Sequence, residues 1–159
     1  MKKTLLVFAL ALGFFGFSQS GANLDVNKWS KEKAKAWYAE HDWISGANFI
    51  PSTAINQLEM WQEATYDPET IDRELGYAAG IGFNTMRVYL HSLAYKADKA
   101  GFKKRVEDYL SIADNHDIKT IFVIFDDVWD ANPKIGTQRD PKTGTHNSGW
   151  MQDPGYPAS

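Results

Sequence analysis

The stretch DPETIDRELGYAAGIGFNTMRVYLH, residues 67–91, holds one helix, its stop and one strand, and it decides the fold. Asp67 is a side-chain acceptor placed before a helix. Pro68 suits the first helical position, and Glu69 puts an acid in the first turn. Ile71, Leu75, Ala78 and Ala79 recur at helical spacing and give one apolar face. Gly80-Ile81-Gly82 then offers the positive-φ position that ends a helix. The β-branched and apolar run from Asn84 to His91 reads as a strand, with Arg87 as its single charge.

The same unit recurs on either side. Towards the C-terminus, Phe102, Val106, Tyr109, Leu110 and Ala113 make the apolar side of a helix over 102–115. Residues 118–125, IKTIFVIF, form the next strand, and their near-continuous apolar character predicts burial on both faces. Towards the N-terminus, residues 30–40 predict a helix with Ser30 as its cap and Ala34, Trp37, Tyr38 and His41 on one stripe. Residues 43–50 predict a strand stopped by Pro51-Ser52. Residues 51–66 read as a long connection, and 126–159 as one long Gly-, Pro-, Asp- and Trp-bearing loop.

Helix and strand alternate, so the sheet is expected to be parallel. Strand starts fall near 43, 84 and 118, a spacing of about 40 residues that suits βα units. The first strand is not followed by a Gly-rich phosphate loop, and Pro51 blocks an immediate helix, which favours a barrel over a nucleotide-binding sheet. The expected fold class is α/β: the N-terminal three βα units of an incomplete (β/α)8 barrel. Three strands cannot close a barrel, which takes about 200 residues or more, so the chain reads as an N-terminal fragment.

Met1-Lys2-Lys3, an apolar run over 4–17 and small residues at 18–22 read as a signal peptide, assigned to 1–20, with residues 21–159 as one barrel-type domain. The apolar run is too short to span a hydrocarbon layer of about 30 Å, so no stable membrane insertion is expected after cleavage. The expected location is secreted or periplasmic. The chain carries 17 Lys and Arg against 20 Asp and Glu, and losing Lys2 and Lys3 makes it more acidic. That balance argues against a nucleic-acid partner. With no cysteine there are no disulfides and no thiolate sites. The four histidines lack ligand spacing, so neither metal nor cofactor is expected.

In parallel α/β sheets ligands bind at the carboxyl ends of the strands. Asn48 closes the first strand, and Arg87 and His91 lie at the end of the second. Asp126, Asp127 and Trp129 follow the third, and the tail adds His146 and Trp150. Amide and carboxylate groups bond to hydroxyls, and an indole covers the apolar face of a sugar ring. Each residue also has a plainer reading. Arg87 would pair with a structural carboxylate, Asn48 would cap its strand, and Asp126 and Asp127 would form a turn or helix cap. His91 would be a solvated loop residue, and the tryptophans would cover the barrel mouth without touching a ligand.

These residues resemble a known family. Residues 43–48, 82–88 and 119–127 look like the first three strands of clan A glycoside hydrolases, nearest the family 5 cellulase and mannanase type. Gly46-x-Asn48 and Asn84-Thr85-Met86-Arg87 match that group's strand-one and strand-two motifs. The wider run, including residues 49–57 and 146–150, also resembles bacterial exported 1,4-β-xylanase and cellulase-family proteins. The resemblance covers about residues 40–155. It implies a retaining glycosidase acting on a plant-type β-glycan (xylan, mannan or glucan) through two glutamates, one after strand four and one after strand seven. Neither position falls in these 159 residues, and no Asn-Glu pair occurs. No catalytic residue is therefore expected in this chain; the resemblance puts both the acid/base and the nucleophile beyond Ser159. Arg87 resembles the arginine that orients the nucleophile, and Asn48, His91, Asp126, Asp127, Trp129, His146 and Trp150 become substrate-binding residues. The alternative is a non-catalytic exported carbohydrate-binding protein on a related scaffold.

Overall fold

The computed structural model describes residues 28–156. The expected signal peptide lies outside them. So does Ser159, the position beyond which the two catalytic glutamates are expected. The chain divides into two compact units between His41 and Asp42. In the first unit, α1 spans Lys31–Ala39, and the Ser30 hydroxyl accepts from the Lys33 amide at 3.2 Å, as its capping position predicts. No α1 residue is buried. Trp37 stacks on His41 one turn on, with ring centroids 4.1 Å apart.

The second unit is built on a three-stranded parallel sheet in the order β1 (Gly46–Phe49), β2 (Thr85–Tyr89), β3 (Lys119–Val123). Between β1 and β2 run α2 (Gln57–Trp61) and α3 (Pro68–Gly80). Between β2 and β3 run α4 (Ser92–Ala97) and α5 (Lys99–Asn115). The α/β alternation is as expected. The connection over 51–66 is not featureless: Asn56 caps α2 by accepting from the Leu58 and Glu59 amides at 3.0 and 3.2 Å. The loop after β2 likewise contains α4.

The helix feeding each of the last two strands ends in the same way. At the end of α3, Gly82 takes φ +91°, its amide bonds to Ala79 O, and Phe83 N bonds to Ala78 O. At the end of α5, Asp117 takes φ +57°, its amide bonds to Asp114 O, and Ile118 N bonds to Ala113 O. Both are paired 6→1 and 5→2 stops, which satisfy the last carbonyls and reverse the chain into the next strand. Aspartate is among the few side chains that tolerate this conformation. At the helix starts, the Thr70 and Gly101 amides hold the Asp67 and Asp98 carboxyls below the ordinary carboxylate value.

Asn84, two residues after the first stop, pins the start of β1. Its side-chain oxygen accepts from Ser45 N at 2.9 Å and its Nδ2 donates to Trp43 O at 3.0 Å. Gly46 pairs in register with Thr85, and a Cβ there would overlap the Thr85 carbonyl. Only glycine allows that approach.

One face of the sheet carries the core. Met86 and Val88 point into it, with Phe49 from β1 and Phe122 from β3, against Ile71, Leu75, Phe102, Tyr109 and Ala113 of the helices. Trp61 is fully buried among Tyr66, Phe102 and Tyr109, and its indole donates to Tyr89 O at 2.8 Å. The opposite face is open. Register sets Asn48, Arg87 and Ile121 side by side across the three strands. Ile121 is 53% exposed, Ile124 61% and Phe125 66%. The expectation that β3 is buried on both faces is therefore corrected: the helices cover a single face, and the strand's apolar residues on the other meet solvent.

Candidate functional site

The site is built from the open sheet face and the tail that follows β3. Side chains alternate along a strand, so Arg87 and Tyr89 share the open face. Arg87 Nη1 donates to Asn48 Oδ1 at 3.3 Å, and its guanidinium lies 4.7 Å from the Tyr89 ring centroid. Among the described residues no carboxylate lies within ion-pair distance of it. Tyr89 meets Trp150 edge-on at 5.1 Å. Trp150 meets Trp129 at 6.1 Å, and Trp129 meets His146 at 5.7 Å. The result is a continuous strip from Asn48 through two indoles to an imidazole, running from the sheet into the tail.

Among its described residues the tail holds no helix and no extended strand, yet it is not loose. Two isolated bridges, Asp126 with Asp153 and Asp130 with Met151, fold it back on itself. Buried amides then tie it to α2. Asn56 Nδ2 donates to Gln138 Oε1 at 2.9 Å and to Gly149 O at 2.8 Å, and Gln57 Nε2 donates to Met151 O at 3.0 Å. Gln62 donates to Gly136 O and accepts from Gly136 N. Asn56, Gln57, Gln138 and Asp153 are all at least 90% buried. Buried polar groups are normally paired, and these amide pairs tie the tail to α2 alongside the burial of Met151 in the core.

Trp129 is the most constrained member of the strip. Its backbone sits at φ +85°, a region that costs a bulky residue on the order of 1–2 kcal/mol. Its indole Nε1 donates to Asp126 Oδ2 at 3.1 Å. Asn147, beside His146, is also at positive φ, +46°. Strained backbone persists where surrounding contacts over-determine it, and such positions cluster at ligand sites.

Of the residues singled out from sequence, Asn48, Arg87, Asp126, Trp129, His146 and Trp150 are brought together. Asp127 is exposed and makes no side-chain contact with them. His91 is corrected. It is 1% exposed, neither at the opening nor in solvent. It caps α4, its Nδ1 accepting from Leu93 N at 3.2 Å, which leaves the ring proton on Nε2. Asp153 lies beside it and accepts from Ser92 N at 2.9 Å and from Ser92 Oγ at 2.5 Å. Burial holds the His91 imidazole below its ordinary value of 6.5, against the opposing pull of Asp153, the Gln152 carbonyl and Asp126. A depressed folded value means that the unfolded chain binds the proton first. The His91 contribution is therefore complete above pH 6.5 and is lost as pH falls below it, well before the Asp67 and Asp98 contributions, which fade below their ordinary 3.8. His91→Asn keeps a capping oxygen and removes the titration. We expect it to flatten the decline of thermal stability between about pH 6.5 and pH 5. An unchanged slope over that interval would exclude His91 as its source.

Tyr89 and Asp130 end the second and third strands in the sequence reading but were not assigned to the substrate-binding set, although a period of two places Tyr89 on the Arg87 face. Arg139 and Lys142, which flank the indoles, and the amides of α2 were passed over. Only the Asn56 capping position carried a local signal for those. Among the described residues no group of three or more His, Asp or Glu side chains is placed to hold a metal ion. No helix among them is long and apolar enough to cross a membrane. No protein family, no curated protein and no solved structure matches the chain.

Proposed function

We propose that this chain supplies the glycan-contacting part of an exported retaining glycoside hydrolase of the clan A, family 5-like type. Its three βα units would be the first three of a (β/α)8 barrel, and its substrate a plant-type β-glycan. The observation that carries the reading is the strip Asn48–Arg87–Tyr89–Trp150–Trp129. It combines a guanidinium without a carboxylate partner and an amide on the strand face that the helices leave uncovered with two indoles that the tail brings against Tyr89. In a barrel the helices lie outside, and side chains of the other strand face fill the interior and its C-terminal mouth. The exposed Ile121, Ile124 and Phe125, and edge strands β1 and β3 with one strand neighbour each, support that reading.

In this role Tyr89, Trp129 and Trp150 would offer ring faces and edges to pyranose C–H surfaces, and Asn48 would bond to hydroxyls. Arg87 would hold an incoming carboxylate ionised by placing a fixed positive charge beside it. The two catalytic glutamates of a retaining pair would come from beyond Ser159. The test uses the 159-residue chain, checked by mass, on xylan, mannan and β-glucan. We expect retardation of the chain in a gel containing at least one of them, with no reducing-sugar release above blank. Release clearly above blank overturns the placement of the glutamates, and failure to be retarded by all three overturns the glycan reading.

A further inference from the structure

Beside the strip the tail forms a shallow cleft of about 300 Å³ whose walls are Trp129, Trp150 and His146 and whose rim carries Asp130, Arg139 and Lys142. We propose that this cleft takes a carboxylate-bearing sugar, a uronate unit of the glycan, with its ring against the indoles and its carboxylate toward Lys142 and Arg139. The inference rests on the glycan reading and narrows it to an acidic unit.

Three observations carry it. The indoles meet at 61° with centroids 6.1 Å apart, so they form a corner with two apolar faces and not a flat stack. A pyranose ring presents C–H groups on its faces and polar groups at its edge, which suits such a corner. Second, the rim charge is net positive in a chain whose own formal charge is −3. Asp130 is its single carboxylate and is already engaged, 3.0 Å from Arg139 Nη1. Arg139 also donates from Nη2 to Ser148 O at 2.8 Å, which fixes its guanidinium at the cleft with further N–H groups to offer. Lys142 is bonded through its backbone to Ser148 Oγ at 2.6 Å, while its ammonium forms no ion pair among the described residues. Third, the corner is built on backbone held at positive φ at both Trp129 and Asn147, so its geometry is set before any ligand arrives. A neutral sugar leaves the Lys142 ammonium with no partner; a carboxylate gives it one and takes the remaining N–H groups of an Arg139 already fixed by Asp130.

The acidic character is tested with a glucuronate-bearing xylo-oligosaccharide and the same molecule after its carboxyl has been reduced to the alcohol, each titrated into the 159-residue chain by calorimetry at low salt. The carboxylate meets rim-exposed cations, so we expect the acidic sugar to bind about three- to fivefold tighter, with the preference shrinking as salt is added. Lys142→Gln should bring the acidic sugar to the affinity of its reduced form, and Lys142→Arg should restore the preference. Equal affinity for the two sugars overturns this inference and leaves the glycan reading standing. Binding of neither overturns both. A single-stranded oligonucleotide bound as tightly as the acidic sugar shows plain polyanion attraction and also overturns it.

Discussion

Asn56→Asp is expected to release the tail while leaving the helices and the sheet in place, at a cost of about 3–5 kcal/mol. The substitution separates two jobs held by one side chain. As the α2 cap, Asn56 accepts from the Leu58 and Glu59 amides, and an aspartate does that equally well. As the tail's anchor it donates to Gln138 Oε1 and Gly149 O, and an aspartate has no donor to give. The carboxylate would face two acceptors at a position with no solvent exposure. The tail therefore lets go first. Trypsin should cut rapidly after Lys134, Arg139 or Lys142 in the variant and slowly in the parent, while the far-ultraviolet spectrum keeps its helical signal. Equal cleavage rates would show that apolar contacts, and not the α2 amides, hold the tail.

That anchoring explains why the fold was more legible in the sequence than the site. The three strands and the helices between them follow from local signals: Asp67 and Pro68 start α3, Gly82 ends it, and period-2 and period-3.6 patterns place the rest. Even the N-x-x-R motif divides cleanly, since Asn84 staples β1 to β2 and Arg87 projects on the open face. Burial of β3 failed because a run of apolar residues says how much surface is available to bury, not how many layers are there to cover it. The tail failed for another reason. Its order comes from amide pairs separated by 74 to 94 positions in the chain, such as Gln62 with Gly136 and Gln57 with Met151. No local periodicity encodes them. His91 shows the same limit. Its neighbours in sequence suggest a strand end, whereas in the fold it is buried beside Asp153, 62 positions on.

Trp150→Ala is expected to abolish measurable glycan retention, a loss of about thirtyfold or more in affinity, with a much smaller loss of stability. Trp150 is the joint of the strip: one ring touches Tyr89, which extends from the sheet, and Trp129, which stands over the cleft. Removing it takes away the sugar-facing surface and also a ring neighbour of Trp129, whose backbone is strained at φ +85°. Loss at one end of the strip should therefore propagate to the other. The stability cost stays near 1–2 kcal/mol, because the side chain is only half-buried and the α2 anchors bond to backbone that the substitution leaves intact. Trp150→Phe, which keeps a ring edge against Tyr89, should recover part of the retention. The measurement is affinity electrophoresis in the retarding glycan, beside a denaturant titration that confirms folding. If Trp150→Ala folds normally and is retarded as strongly as the parent, the strip is a structural cover and the glycan reading loses the observation that supports it.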